Sequence, residues 1–231
     1  MVRAAKLLQE RTGSRRGARM HLVKRIPSPG GLGGGSSNAA ATLIGLNRLW
    51  ELDLPTEQLH EMAEELGSDV PFFLYGGTAL GTGRGTEIEP VDDIMGRHLI
   101  VVTPRIRVST PKAFAALNAQ SLTSADAERI LIVCRLEAEK LDLQHSVLRN
   151  DIEAAVFAEY PEVGEVKRAL LELGASNALM SGSGASVFAV FDKEETRQTA
   201  LKALDKEVNW RKFAVAAVSR SEFRGAVFGK P

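Results

Sequence analysis

The stretch that most constrains this chain runs from Pro27 to Thr42: Pro-Ser-Pro-Gly-Gly-Leu-Gly-Gly-Gly-Ser-Ser-Asn-Ala-Ala-Ala-Thr. Five of its residues are glycines, at positions Gly30, Gly31, Gly33, Gly34 and Gly35. Glycine reaches positive φ and lets a ligand approach the backbone closely. Beyond the glycines, Ala39, Leu43, Leu46 and Trp50 recur on one face of a helix. Ser36 or Ser37 is a natural N-cap for that helix. A glycine-rich turn feeding a helix start brings free N–H groups and the positive helix end to one place. Such a place binds anions, and a polyphosphate is the anion most worth binding this way.

Three other readings of the loop are weaker. A flexible Gly/Ser linker has no reason to run at once into an Ala-rich, tightly packing helix. A Walker A loop needs a following Gly-Lys-Ser/Thr, which is absent. A dinucleotide fingerprint needs a third glycine where Ser36 stands, although Gly31 and Gly33 supply the first two.

Composition bounds the function classes. The chain has 231 residues, enough for one large or two small domains. Its 29 basic and 29 acidic residues give zero formal net charge, which argues against nucleic acid as the main partner. The single cysteine, Cys134, excludes an internal disulfide and sits in an apolar run, as a structural thiol does. The four histidines lack metal-ligand spacing. No apolar run is long enough to span a membrane.

Residues 1–25 carry eight basic side chains against one acid, Glu10. A presequence has that bias, but the segment reads as domain structure. Val2, Ala5 and Leu8 mark a helical face, residues 13–17 a turn, and residues 20–26 a short alternating strand. After the glycine loop, Thr56 starts a helix with Leu59, Met62, Ala63 and Leu66 on one face, ended by Gly67. Strands are expected at 72–75 and 78–81, joined by Gly76-Gly77. Residues 81–87 form a second Gly-rich loop. Further on, strands are expected at 99–103, 177–180, 186–191 and 213–218. Helices are expected from Thr110-Pro111, over 125–140, 150–157, 161–174 and 193–206. This alternation predicts an α+β sandwich of the split-βαβ kind.

The Pro27–Thr42 loop resembles the second motif of the GHMP kinase superfamily, a Pro- and Gly-rich loop before a Ser-Ser helix start. The rest of the chain extends the resemblance in the same order. Gly67-Ser68-Asp69-Val70-Pro71-Phe72-Phe73 is similar to the segment carrying the catalytic aspartate. Leu148-Arg149-Asn150-Asp151-Ile152-Glu153 follows. Met180-Ser181-Gly182-Ser183-Gly184 is similar to the third, Gly-rich motif. Standing alone, Asp69 would read as a turn residue, and the Ser181 loop as a tight hairpin. Four features in order carry the resemblance over essentially the whole chain.

The resemblance implies two domains. One is a ribosomal-protein-S5-like ATP-binding domain over 1–95, and the other a ferredoxin-like split-βαβ domain over 96–231. It implies ATP-dependent phosphorylation of a small-molecule alcohol. The triple glycine and the Asp-Val-Pro-Phe-Phe run favour one branch, which phosphorylates the 2-hydroxyl of a cytidine-diphosphate-linked methylerythritol for isoprenoid precursors. Another GHMP kinase, acting on homoserine, mevalonate or a sugar, is the alternative, and a non-catalytic nucleotide-binding fragment is a third reading.

By the resemblance, Lys24, Pro27, Gly30, Gly31, Leu32, Gly33, Gly34, Gly35, Ser36 and Ser37 contact ATP. Ser37, or less favourably Ser36, ligates Mg²⁺. Asp69 takes the proton of the acceptor hydroxyl, and Ser181, Gly182, Ser183 and Gly184 lie against phosphate or substrate. A bacterial cytoplasmic location is expected, with no nucleic-acid or membrane partner. Two departures stand out. Ser28-Pro29 replaces small residues before Gly30. The family's N-terminal Pro-Ala-Lys-(Ile/Val)-Asn and Gly-Tyr-His segments are absent, so Met1 falls where the family has a helix under way. The chain is therefore expected to be an N-terminally shortened kinase of weak activity.

Overall fold

The computed structural model describes residues 1–96, 98–109, 112–113 and 127–229. The helix start expected at Thr110-Pro111 and the first residues of the 125–140 helix lie outside them. The chain divides into two compact units. One comprises Met1–Ile26, Gly33–Asp93 and Val218–Pro231, the other Pro27–Leu32 and Ile94–Ala217. The glycine-rich loop is thus shared, its first six residues in one unit and Gly33 onward in the other.

The first unit is built on three helices: α1 (Val2–Thr12), α2 (Gly34–Leu49) and α3 (Thr56–Leu66). Their apolar stripes meet in one core of Ala4, Leu8, Ala40, Leu43, Leu46, Trp50, Leu59, Met62 and Ala63. Burying each large aliphatic side chain contributes about 1.5–3 kcal/mol. The α1 face is turned from the expected one, since Val2 is 65% exposed while Ala4 and Leu8 are fully covered. Gly13 closes α1 at φ 68°, a conformation that suits glycine.

The expected strand at 72–75 is instead a single helical turn, α4 (Phe72–Tyr75). Val70 and Leu74 are both buried in the same core, four residues apart, which is helical spacing. Pro71 has helical dihedrals, and Phe73 N–H donates to Val70 O at 3.1 Å. The strand expected before residue 82 pairs as a hairpin, β1 (Ala79–Thr82) with β2 (Glu87–Pro90), so the second Gly-rich loop is its turn. Residues 20–26 form no strand. A strand needs a neighbour for its N–H and C=O groups, and no strand of the described residues runs beside them.

A C-terminal helix, α9 (Arg220–Phe228), completes this unit and was not expected from the sequence. Ser219 and Glu222 form a reciprocal capping box at its start. Asp93 accepts from the N–H groups of Arg220 (2.7 Å) and Thr78 (3.1 Å), and the Arg220 guanidinium donates to the carbonyls of Thr78 and Val91. Those hydrogen bonds hold the Asp93 carboxyl below the usual carboxylate range.

The second unit is a four-stranded antiparallel sheet in the order β4-β5-β3-β6. Its strands are β3 (Leu99–Pro104), β4 (Asn177–Met180), β5 (Val187–Val190) and β6 (Trp210–Val215). Helices α5 (Ala127–Glu139), α6 (Glu153–Glu159) and α7 (Pro161–Glu172) lie between β3 and β4. Helix α8 (Glu194–Ala203) and a short 3₁₀ turn lie between β5 and β6. This is the βαββαβ sequence and strand order of a ferredoxin-like fold. Leu99 is flanked by Val190 on one side and Val215 on the other. Ile100, Val102, Val187 and Ala189 pack with Val163, Val166 and Leu170 of α7. The last strand lies earlier than expected because its register with β3 ends at Val215, and Val218 is 57% exposed.

Glu194 starts α8, where it accepts from Gln198, from Arg197 and from His98, the residue before β3. The hydrogen bonds from Gln198 and Arg197, with the Arg197 charge, lower its carboxyl to about 2. A carboxyl depressed on folding adds stability above its unfolded value near 4.5, and that share is lost as pH falls toward 2. Denaturation midpoints measured between pH 5 and 2 should fall less steeply in Glu194→Gln than in the unsubstituted protein. Parallel curves would show that Glu194 contributes nothing to acid sensitivity.

Candidate functional site

The second unit fastens the start of the glycine loop onto the Ser181–Ser186 turn. Ser186 N–H donates to Gly30 O at 3.2 Å, and the Ser181 hydroxyl donates to Gly31 O at 2.8 Å. Gly31 sits at φ 68°, and a Cβ there would collide with the Ser181 carbonyl oxygen. Gly182 and Gly184 also have positive φ, and a Cβ on Gly182 would crowd Gly31 O at 3.2 Å. Two backbones are therefore in contact where side chains have no room. The predicted loop residues Pro27, Gly30, Gly31 and Leu32 come together with Ser181, Gly182, Ser183 and Gly184.

Residues not assigned a role from sequence brace this turn. The Asn150 amide donates to Met180 O and Gly182 O, both at 2.8 Å, while its oxygen accepts from Ile152 N–H. Glu153 accepts from Met180 N–H at 2.9 Å and pairs with Lys167. The only sequence signal was the Leu148–Glu153 run. Asn150→Ala should cost about 1–3 kcal/mol of unfolding free energy, because two carbonyls lose their donor. Urea denaturation measures it, and an unchanged midpoint would mean that water replaces the amide.

The first unit supplies the other half of the loop. The expected serine cap is not formed. Gly33, at φ 61°, is the N-cap of α2, and it has no side chain to accept from the first turn. The first intrahelical bond is Ser37 N–H to Gly33 O at 2.8 Å. The N–H groups of Gly34, Gly35 and Ser36 consequently have no acceptor among the described residues. A serine at the cap would have taken one of them. The side chain of Lys24 reaches this helix start, its Nζ 3.1 Å from where a Gly34 Cβ would stand. Lys24 is exposed and has no acidic partner among the described residues. A cation beside a positive helix end is unfavourable unless an anion joins them.

Asp69 lies in the turn between α3 and α4, exposed and without a hydrogen bond or ion pair among the described residues. Val70, buried at 2% exposure, anchors that turn. Phe73 of the same segment covers Gly33, and a Cβ on Gly33 would fall 2.6 Å from Phe73 Cζ. The aspartate segment and the start of α2 are thereby packed together within one unit.

Among the described residues no group of three His, Cys, Asp or Glu is arranged for a metal. The serines remain. The Ser37 hydroxyl donates to Gly34 O at 3.1 Å, so its lone pairs stay available to a hard cation. The residues present fit a Mg²⁺ carried in with a polyphosphate rather than held in a cage.

Comparisons with known proteins identify the family. The family described as GHMP kinases N terminal domain matches residues 1–77, and GHMP kinases C terminal matches residues 135–209. The 4-diphosphocytidyl-2-C-methyl-D-erythritol kinase of Synechococcus sp. (strain JA-3-3Ab) is 44% identical over 209 residues, which span 87% of this chain and 68% of that protein. The protein of the same name from Chlorobaculum tepidum is 42% identical over 205 residues, spanning 88% of this chain and 70% of its own. A crystal structure of a 4-(cytidine 5'-diphospho)-2C-methyl-D-erythritol kinase superposes with a TM-score of 0.73 at 32% identity, covering 93% of this chain and 76% of that one. The Methanococcus jannaschii mevalonate kinase superposes with a TM-score of 0.67 at 14% identity and shares the fold.

Proposed function

This chain belongs to the GHMP kinase family, and we propose that it transfers the γ-phosphoryl group of ATP to the 2-hydroxyl of 4-diphosphocytidyl-2-C-methyl-D-erythritol. The observation that carries the reading is the start of α2. Its first-turn N–H groups have no acceptor, its N-cap has no side chain, and Lys24 stands beside it without a counter-charge. Relatives at 42–44% identity supply the acceptor, since their names specify it.

In this reading Gly34, Gly35 and Ser36 donate their N–H groups to phosphate oxygens, and Lys24 neutralises part of the charge. Within the second unit, Ser181 and Ser186 fix Gly30 and Gly31, and Gly182, Ser183 and Gly184 are the residues assigned to phosphate or substrate. Phosphoryl transfer asks the protein mainly for positioning and charge stabilisation. When bound, Mg²⁺ neutralises charge shared by the terminal phosphates, and Ser37 is the residue that would ligate it, with Ser36 second. Asp69 accepts the proton of the attacking hydroxyl. Its exposure leaves it free to meet a substrate, and its lack of partners leaves both oxygens open. Among the described residues no helix is long and apolar enough to cross a membrane. A reaction that consumes ATP and a small phosphorylated alcohol suits the bacterial cytoplasm.

The test is ADP release with 4-diphosphocytidyl-2-C-methyl-D-erythritol, homoserine and mevalonate offered in turn, alongside direct ATP titration. Turnover confined to the first supports the proposal. Preference for either of the others moves the chain to a different branch of the family, and ATP binding without any turnover reduces it to a nucleotide-binding protein.

A further inference from the structure

One cavity of the second unit is not used in the reaction described above. It has a volume of about 230 Å³ and is lined by residues 27–29 and 103–107 together with Arg211. Three of its lining residues are arginines: Arg105, Arg107 and Arg211. No acidic residue lines it, although the chain carries as many acids as bases. None of the three guanidinium groups has a carboxylate partner among the described residues. Each of the three residues is exposed.

The backbone fixes their places. Arg211 lies on β6 directly opposite Thr103 on β3. Its guanidinium rests over the Phe213 ring at 5.5 Å, which limits its freedom. Arg105 follows the end of β3, and its N–H donates to Asn209 O at 3.1 Å, closing the sheet beneath the cavity. Three like charges gathered around so small a space repel one another. Three other cations of this unit are ion-paired: Lys167 with Glu153, Arg197 with Glu194, and Lys212 with Asp205.

We propose that the cavity is an anion site that takes a phosphate or diphosphate group, formed by residues other than the first turn of α2. Arginine presents a planar fork of donors matched to phosphate oxygens, and charge-assisted bonds of that kind are the strong ones. The volume lies below the ~300–1,000 Å³ of pockets that enclose a drug-sized ligand, so the cavity holds a group rather than a whole nucleotide. It also touches the glycine loop through named atoms. Thr103 shares a 2.7 Å hydrogen bond with the Ser186 hydroxyl, and Ser186 N–H donates to Gly30 O. Residues 27–29 form one wall of the cavity and lead directly into the glycines. The site rests on the kinase reading only for the origin of the group: the diphosphate of the cytidine-linked acceptor, or phosphates of the nucleotide donor.

Titration with inorganic pyrophosphate, followed by calorimetry, tests the site without any need for turnover. The proteins compared are the unsubstituted chain, the double variant Arg107→Gln/Arg211→Gln, and the double variant Arg107→Lys/Arg211→Lys. The glutamine variant should bind pyrophosphate at least ten-fold more weakly with its melting temperature unchanged. The lysine variant should fall between, keeping charge and losing the fork. Displacement of pyrophosphate by CDP assigns the group to the acceptor. Displacement by an ATP analogue and not by CDP assigns it to the donor. Equal pyrophosphate affinity in the unsubstituted and glutamine proteins overturns the proposal, since the start of α2 would then account for all binding, as does a lack of saturable binding in the unsubstituted chain. Arginine-dependent binding in a chain that proves unable to phosphorylate would leave the cavity standing and remove the kinase reading instead.

Discussion

Asp69→Asn is expected to lower kcat on the order of 10²-fold or more with KM for both substrates changed little. The amide keeps the shape of the carboxylate and loses the ability to accept a proton. That proton moves only in the transition state, so the loss falls on kcat rather than on binding. The structure makes this substitution a clean test. Asp69 is exposed, supports no hydrogen bond among the described residues, and lies beside Val70, whose burial anchors the turn. The variant should therefore unfold at the same denaturant concentration as the unsubstituted protein and bind ATP as well or slightly better, because one negative charge near the polyphosphate is gone. Steady-state kinetics with both substrates varied decides it. Near-normal turnover in the Asn variant would leave Asp69 as a turn residue and shift the search for a base elsewhere.

Legibility in the sequence followed the reach of each physical signal. The path of α2 was readable because Ala39, Leu43, Leu46 and Trp50 repeat at helical spacing and all enter the core. The sheet of the second unit was readable for the same reason, with β3 and β4 falling where their apolar runs lie. The helical turn after Asp69 was not. Two adjacent phenylalanines and a tyrosine suggested a strand, while the decisive pair, Val70 and Leu74, straddles the proline. The helix α9 was announced only by Ser219 and Glu222, a three-residue offset that a scan for apolar periodicity passes over. Residues 20–26 alternate like a strand, but alternation states a preference and pairing needs a neighbour.

In the glycine loop, the sequence did not reveal the separate structural duties of the glycines. Gly33 caps the helix, which frees the serines that seemed to be caps. Asn150 could not have been found from local pattern, because its partners lie 30 and 32 residues away. Of the three arginines that line the cavity, Arg211 is remote in sequence from Arg105 and Arg107, and only the β3–β6 register brings it beside the end of β3.

The glycines now separate into two kinds, and a pair of alanine substitutions should divide folding from nucleotide binding. Gly35 lies on the first turn of α2 with nothing within 4 Å of where its Cβ would stand. Alanine there should raise stability by about 0.5–1 kcal/mol, as it does in exposed helix positions. The same methyl group would stand beside the N–H groups offered to phosphate, so ATP affinity should drop while the protein grows more stable. Gly31 behaves in the opposite way. Its φ of 68° penalises any side chain, and its Cβ would collide with the Ser181 carbonyl. The backbone penalty is about 1–2 kcal/mol and overpacking adds about 1–3. To relieve the collision the loop must leave Ser181, which breaks the bond to Gly31 O and strains the one from Ser186 to Gly30 O. Gly31→Ala should therefore lose about 2–5 kcal/mol of stability and most of its ATP binding together. Gly33 cannot serve as the binding probe, because its Cβ would strike Phe73 and confuse the two effects. Thermal unfolding and ATP titration of the two single variants give the answer. Should Gly35→Ala bind ATP with unchanged affinity, the first turn of α2 is not where the phosphates lie. Should Gly31→Ala melt like the unsubstituted protein, the contact between the two glycine loops is dispensable.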